Sequence, residues 1–145
     1  MKFKSLLMAA LLLIITYTGA SAATPNPSPG SPGYELIPIQ ISGQWTATTT
    51  SVVKFQLPYP AYLIHFSATA RASGGTSPTL TVDLKEGGTS KLSTPLAVTA
   101  GTVGTAVIGT TPRMADESTI TIDLNIGGTS PTWNDITVLM LIKRL

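Results

Sequence analysis

Few residues in this chain are able to do chemistry, and their spacing assigns them little of it. There is one histidine and no cysteine among 145 residues. That removes thiolate zinc sites, Fe–S clusters, disulfide scaffolds and cysteine nucleophiles. His65 is the sole candidate general base. On an extended strand it shares a face with Ser67 and Arg71, with no carboxylate two residues away to orient the imidazole. No Gly-x-Ser-x-Gly elbow presents a serine nucleophile.

Asp83 and Asp123 hold matching places in two similar segments. Paired carboxylates are the machinery of glycoside hydrolysis and of calcium binding. The flanking residues lack the dense Asp/Asn spacing of a calcium loop, so both read as solvated strand charges that discourage edge-to-edge pairing. Asp116-Glu117 reads as a charged turn, and no glycine-rich loop opens a helix to cradle a phosphate. The expectation is a protein that is not an enzyme and uses no cofactor or metal.

Aromatic rings offer a different chemistry, because a ring face stacks on the apolar face of a pyranose. Trp45 (in Gly43-Gln-Trp-Thr46), Trp133 (in Pro131-Thr-Trp-Asn134) and Tyr59 (between Pro58 and Pro60) have loop-like settings. They are the candidate glycan contacts, since loops are where a β scaffold displays binding groups. Tyr34 and Tyr62 are further aromatics. The same residue types also serve in cores and interfaces.

The elements that must position these residues are legible in the pattern along the chain. Residues 1–22 have the three parts of a secretory signal: Lys2 and Lys4, an apolar run over 6–15, and the small-x-small triplet Ala20-Ser21-Ala22. Ten apolar residues fall short of the ~20 that span a bilayer, so no membrane insertion is expected after cleavage. Residues 23–33 form a Pro/Gly-rich linker of extended, solvated character. Removing Lys2 and Lys4 leaves seven Lys/Arg against seven Asp/Glu. A neutral mature chain has no basic patch for nucleic acid.

From Tyr34 onward the pattern is β. Val53, Phe55 and Leu57 alternate with Lys54 and Gln56. Tyr62, Ile64, Phe66, Ala68 and Ala70 alternate with His65, Ser67, Thr69 and Arg71. Leu80, Val82 and Leu84 form a third face, and Ile120, Ile122, Leu124 and Ile126 another. Leu92, Leu96 and Val98 continue the pattern, residues 103–108 read as a short buried run, and 136–142 is apolar on both faces, as in a central strand or one facing a partner. Gly74-Gly75, Gly87-Gly88 and Gly127-Gly128 read as turns. With 34–41 this makes about eight antiparallel strands in one all-β domain over 34–145, and their spacing predicts a jelly-roll-like β-sandwich. Residues 79–90 and 119–130 are similar, as two strands with equivalent roles would be.

The pieces Thr-Val-Asp-Leu-Lys-Glu-Gly-Gly-Thr-Ser (81–90), Leu-Ser-Thr-Pro (92–95), Ala-Asp-Glu-Ser-Thr-Ile-Thr-Ile-Asp-Leu (115–124) and the apolar ending 135–145 carry a resemblance. In this style of strand and turn, the stretch from Tyr62 to Leu145 resembles β-sandwich modules of bacteriophage tail and head fibres and other virion-surface proteins. The resemblance implies a jelly-roll-like structural or receptor-binding module, often trimeric. The secretory signal departs from it and points to a secreted or cell-surface protein.

The expected function is a secreted structural or adhesive subunit that associates with itself, as a trimer or filament, in a surface fibre or coat. Leu36, Ile37, Ile39 and Ile41 are the candidate self-association strand, able to add to a neighbour's sheet edge. The alternative is a carbohydrate-binding module that holds a surface glycan with its loop aromatics.

Overall fold

The computed structural model describes residues 33–145; the signal segment and all but the last residue of the linker lie outside them. The described chain is all-β and forms a single domain. Its strands are β1 (Tyr34–Trp45), β2 (Thr49–Gln56), β3 (Ala61–Glu86), β4 (Thr89–Ser90), β5 (Leu96–Ala97), β6 (Gly104–Thr105), β7 (Arg113–Met114) and β8 (Thr119–Arg144). The eight are antiparallel and lie in one sheet. A jelly-roll sandwich would separate its strands into two hydrogen-bonded sheets. Here β3 and β8 run 26 residues each and pair with one another from Ala61↔Arg144 to Glu86↔Ile120, so the ladder is continuous.

This long ribbon has two arms. In the first, β1 pairs the C-terminal half of β8, while β6 and β7 pair the N-terminal half of β3. In the second, β2 pairs the N-terminal half of β8, while β4 and β5 pair the C-terminal half of β3. Phe66, Val138, Met140 and Ile142 of the first arm join Leu80, Leu84, Ile122 and Leu124 of the second in one buried cluster. The alternation read from the sequence places these residues inward, as a half-buried strand requires.

Between the arms the sequence predicts turns, and the structure shows none. At Gly74-Gly75 and Gly127-Gly128 both strands bend and continue. The reason is a local pair of left-handed residues on each strand: Gly75 (φ 97°) with Ser77 (φ 48°), and Gly128 (φ 112°) with Ser130 (φ 48°). A Cβ on Gly75 would overlap the Ser130 carbonyl oxygen, and one on Gly128 would lie 2.6 Å from that of Ser77. The two strands thus cross with only backbone between them. Both crossings carry the same five residues, Gly-Gly-Thr-Ser-Pro, at 74–78 and 127–131. That identity was legible and is a better guide than the similarity of 79–90 to 119–130, whose residues lie opposite each other in the ladder.

Two further expectations are corrected, and one is met. A bulge between Leu63 and His65 shifts the register, so Tyr62 and Ile64 turn outward while Phe66, Ala68 and Ala70 stay in the core. In the run 103–108, Val103 and Val107 are exposed, because β6 has only two paired residues and covers the core with a single row. Lastly, 136–142 is apolar on both faces and is central, flanked by β1 and β3.

Candidate functional site

The two outer faces of the ribbon differ in chemistry, one polar and one apolar. On the second arm, Asp83 and Asp123 are direct cross-strand partners. They lie in the middle of the sheet, so they do not guard an edge as expected. Lys85 sits between them, 2.7 Å from Asp123 Oδ2 and 3.9 Å from Asp83 Oδ2. The Ser90 hydroxyl donates to Asp83 at 2.5 Å, and the Ser51 N–H donates to Asp123 at 2.7 Å. With Thr48, Thr81 and Asn125, the Asp83, Lys85 and Asp123 side chains line a shallow cleft of about 250 Å³.

Burial alone would raise the Asp123 carboxyl, but the Lys85 and Ser51 hydrogen bonds outweigh it and hold the group below its ordinary value. A glycosidase needs one carboxylic acid kept protonated near neutral pH; Asp123 is pushed the opposite way. Its oxygens are occupied in structure. The N–H it accepts from belongs to a bulge in β2, where Ser51 has φ 53°.

Asp135 repeats that device on the first arm. It accepts from Gly43 N–H at 2.9 Å, in the bulge of β1, and from Arg71 Nε at 2.7 Å. Gly43 and Arg71 together hold its carboxyl below the ordinary value. Each of these aspartates on β8 therefore grips a bulge in the adjacent outer strand and a cation on β3. Bulges twist an edge strand away from further pairing.

The candidate glycan aromatics do not stand in exposed loops. Trp133 is 2% exposed and pairs with Trp45 across the β1–β8 ladder, and the indole N–H groups of both are buried. The glycine and proline near them mark bulges and the bend, which from sequence look like loops. The Tyr59 hydroxyl donates to Glu35, and the Arg144 guanidinium lies over the Tyr59 ring, 4.1 Å from its centroid. Arg144 also reaches Glu35 through Nε at 2.9 Å. Tyr59's hydrogen bond, with help from Arg144, holds the Glu35 carboxyl below its ordinary value against the opposing effect of burial. This trio ties the start of β1 to the end of β8.

A second cluster has no counterpart among the residues singled out from sequence. Lys91 is 6% exposed, and its ammonium is 2.5 Å from Glu86 Oε2 and 2.7 Å from the Arg113 carbonyl oxygen. Glu86 in turn accepts from the Ala115 N–H and the Ser118 hydroxyl. Burial pushes the Glu86 carboxyl up, while Lys91, Ser118 and Ala115 bring it below its ordinary value. A lysine beside Ser90 and Leu92 reads as a solvated charge; only the long return of 111–118 across this end buries it. Among the described residues, no three His, Asp or Glu side chains converge as a metal site, and Asp116 and Glu117 are exposed turn residues.

The first arm's outer face is the opposite case. Tyr34 (65% exposed), Leu36 (55%), Tyr62 and Ile64 (42%) lie on it beside the half-buried Leu139, Leu141 and His65. The ladder aligns Leu36 with Leu141 and Leu141 with His65. Of the candidate association residues, Leu36 belongs to this face. Ile37, Ile39 and Ile41 point inward, opposite Met140, Val138 and Ile136, so β1 completes its own chain's core. No family model matches this chain, and no curated protein matches it.

Proposed function

We propose that this chain is a secreted, non-enzymatic structural or adhesive subunit that associates with copies of itself, as a trimer or filament, in a surface fibre or coat. The observation that carries the reading is the outer face of the first arm, where four strand residues of β1 and β3 and two of β8 present apolar or aromatic surface to solvent. A contiguous apolar patch of this kind is of the size that, on a soluble protein, is often functional. The neutral charge of the chain after the signal segment adds little repulsion between copies. The polar groups of the other face are bonded to one another, which favours a mechanical part over a catalytic one.

The test is the mass in solution of the protein beginning at residue 23, by light scattering, with the same sample viewed by electron microscopy. Trimers, filaments or a dimeric building block of them are the expected result; a monomer at every concentration would overturn the reading. A glycan contact is the second reading, favoured by the exposed Tyr34 and Tyr62 rings on one face. It expects saccharide binding that is lost in Tyr34→Ala, and it fails if a glycan array is blank.

A further inference from the structure

We infer that the outer face of the first arm is a contact between two copies of this chain, packed face to face with their β8 strands antiparallel about a two-fold axis. The inference rests on the reading of the protein as a self-associating subunit and narrows it: a two-fold contact closes as a dimer, which makes a dimer, not a trimer, the unit from which a larger assembly is built.

The sheet edge is the other route to self-association, and β1 is poorly suited to it. In an antiparallel ladder a residue's N–H and C=O point to the same side, in alternation along the strand. Proline persists in a strand where its nitrogen faces an unpaired edge, so Pro38, with Tyr34, Leu36 and Gln40, faces outward from the sheet. The edge lacks a donor at its midpoint, and the bulge at Ile41/Gln44 bends the rest of the strand. The face has no such obstruction.

Size is the second argument. Taking roughly 150–250 Å² for a full large side chain, the exposed fractions of Tyr34, Leu36, Tyr62, Ile64 and Val107 amount to on the order of 500 Å². Val107 belongs with them because β6 pairs Thr105 with Ser67, which sets Val107 alongside His65 by alternation. A standard interface covers about 800 Å² on each partner. The patch with its rim of Pro38, Leu139 and Leu141 approaches that requirement.

Charge selects the orientation. The face has Lys143 at one end, its ammonium 5.9 Å from the centre of the Tyr34 ring. At the other end lies the Arg71–Asp135 pair. Lys143 and Asp135 are each four residues from Leu139 on β8. A two-fold axis through Leu139, in the interface plane and across the strands, brings each Lys143 to the Asp135 end of the other copy. An axis along the strands would stack Lys143 on Lys143. Such an isologous contact requires a self-complementary patch, and an apolar centre with a cation at one end and a neutral ion pair at the other, so that no cation meets its own copy, provides one. A saccharide would leave the apolar Leu36, Ile64 and Val107 side chains poorly matched, and an anionic membrane would need more than one lysine.

The full chain should be expressed, and its purified product weighed by sedimentation across a concentration range beside three variants. Leu36→Glu and Ile64→Glu alter side chains already exposed in the monomer, so both should fold with unchanged circular dichroism. Gln56→Glu adds the same charge on an exposed position of β2. The parent and Gln56→Glu should associate alike, and both face variants should associate at least about tenfold more weakly, as expected when a charge is buried without a partner. If the face variants associate as the parent does, this surface is overturned while self-association stands. If the parent is monomeric throughout, both are overturned, and binding of the monomer to lipid vesicles or a glycan array would identify another occupant.

Discussion

On one outer face of the ribbon stand Tyr34, Leu36, Tyr62 and Ile64; on the other stand Thr81, Asp83, Lys85 and Asp123. Both faces are laid on the same two strands, β3 and β8, and the inner faces beneath them are equally apolar. The folding requirement is therefore the same for each arm. What differs is how the outward side chains are occupied. The charges of the second arm satisfy one another and pin a bulge, whereas the apolar groups of the first arm have no partner within the described residues. The more chemically suggestive face is thus the internally satisfied one, and the face without reactive groups is the one left open.

The comparison can be broken most severely through the charge the second arm buries. Lys91→Ala leaves Glu86 buried without its cation and should cost about 3–5 kcal/mol, read as a fall in the denaturant midpoint. A surface-like cost would show that the burial of Lys91 is not maintained in solution. Next come the crossings. Gly75→Ala and Gly128→Ala each place a side chain in a left-handed position against a carbonyl oxygen, and each should cost about 2 kcal/mol or more. Equal losses would show that the two crossings are equivalent; an unaffected variant would show that its strand passes the crossing differently.

The aspartates come next. Asp123→Ala removes charge-assisted bonds to Lys85 and Ser51 N–H and should cost about 1.5–3 kcal/mol. Asp135→Ala, at a more exposed site, should cost less. Proton linkage sharpens the same point. The carboxyls of Glu35, Glu86 and Asp123 all lie below their ordinary values of 4.5, 4.5 and 3.8 in the folded protein. Their contribution to stability is complete above those values and is lost as pH falls through the lowered ones. Melting temperature should therefore drop on that acid side, and Glu35→Gln should flatten part of the drop.

The smallest effects concern the open face and the indoles. Leu36→Glu should change monomer stability by no more than about 0.5 kcal/mol, in contrast to its effect on association. Tryptophan emission should lie at the short wavelengths of buried indoles and stay fixed when saccharides are added. A red-shifted emission that responds to sugar would restore the glycan reading at Trp45 and Trp133.

How much of this was legible in the sequence depends on how local its cause is. Leu80, Val82 and Leu84, and Ile120, Ile122 and Leu124, declare their faces by strict alternation, and their burial is the direct result. Tyr62 and Ile64 mislead because a single extra residue at a bulge reverses the face of everything before it. Gly-Gly-Thr-Ser-Pro has the residues of a turn, and the φ values are those of a turn; the chain passes straight through because an identical segment crosses it from 53 positions away. Lys91 and Trp133 are buried, and Tyr59 and Trp45 half-buried, by segments remote in the sequence, which no local window contains. Of the residues 36–41, Ile37, Ile39 and Ile41 turn into their own chain's core, while Leu36 is exposed.

The pairing of β3 with β8 also sets an order of events. Glu86 and Ile120 are 34 positions apart, while Ala61 and Arg144 are 83 apart (120 − 86 and 144 − 61). Loop-closure entropy rises with that separation, so the ribbon closes most readily at the second arm and reaches the first arm last. β1 is made early, yet Tyr34 pairs with Lys143, two residues from the end of the chain. The open face, which needs β1, β3 and β8 together, is therefore completed last. Until the ribbon has closed along its whole length, that surface does not exist.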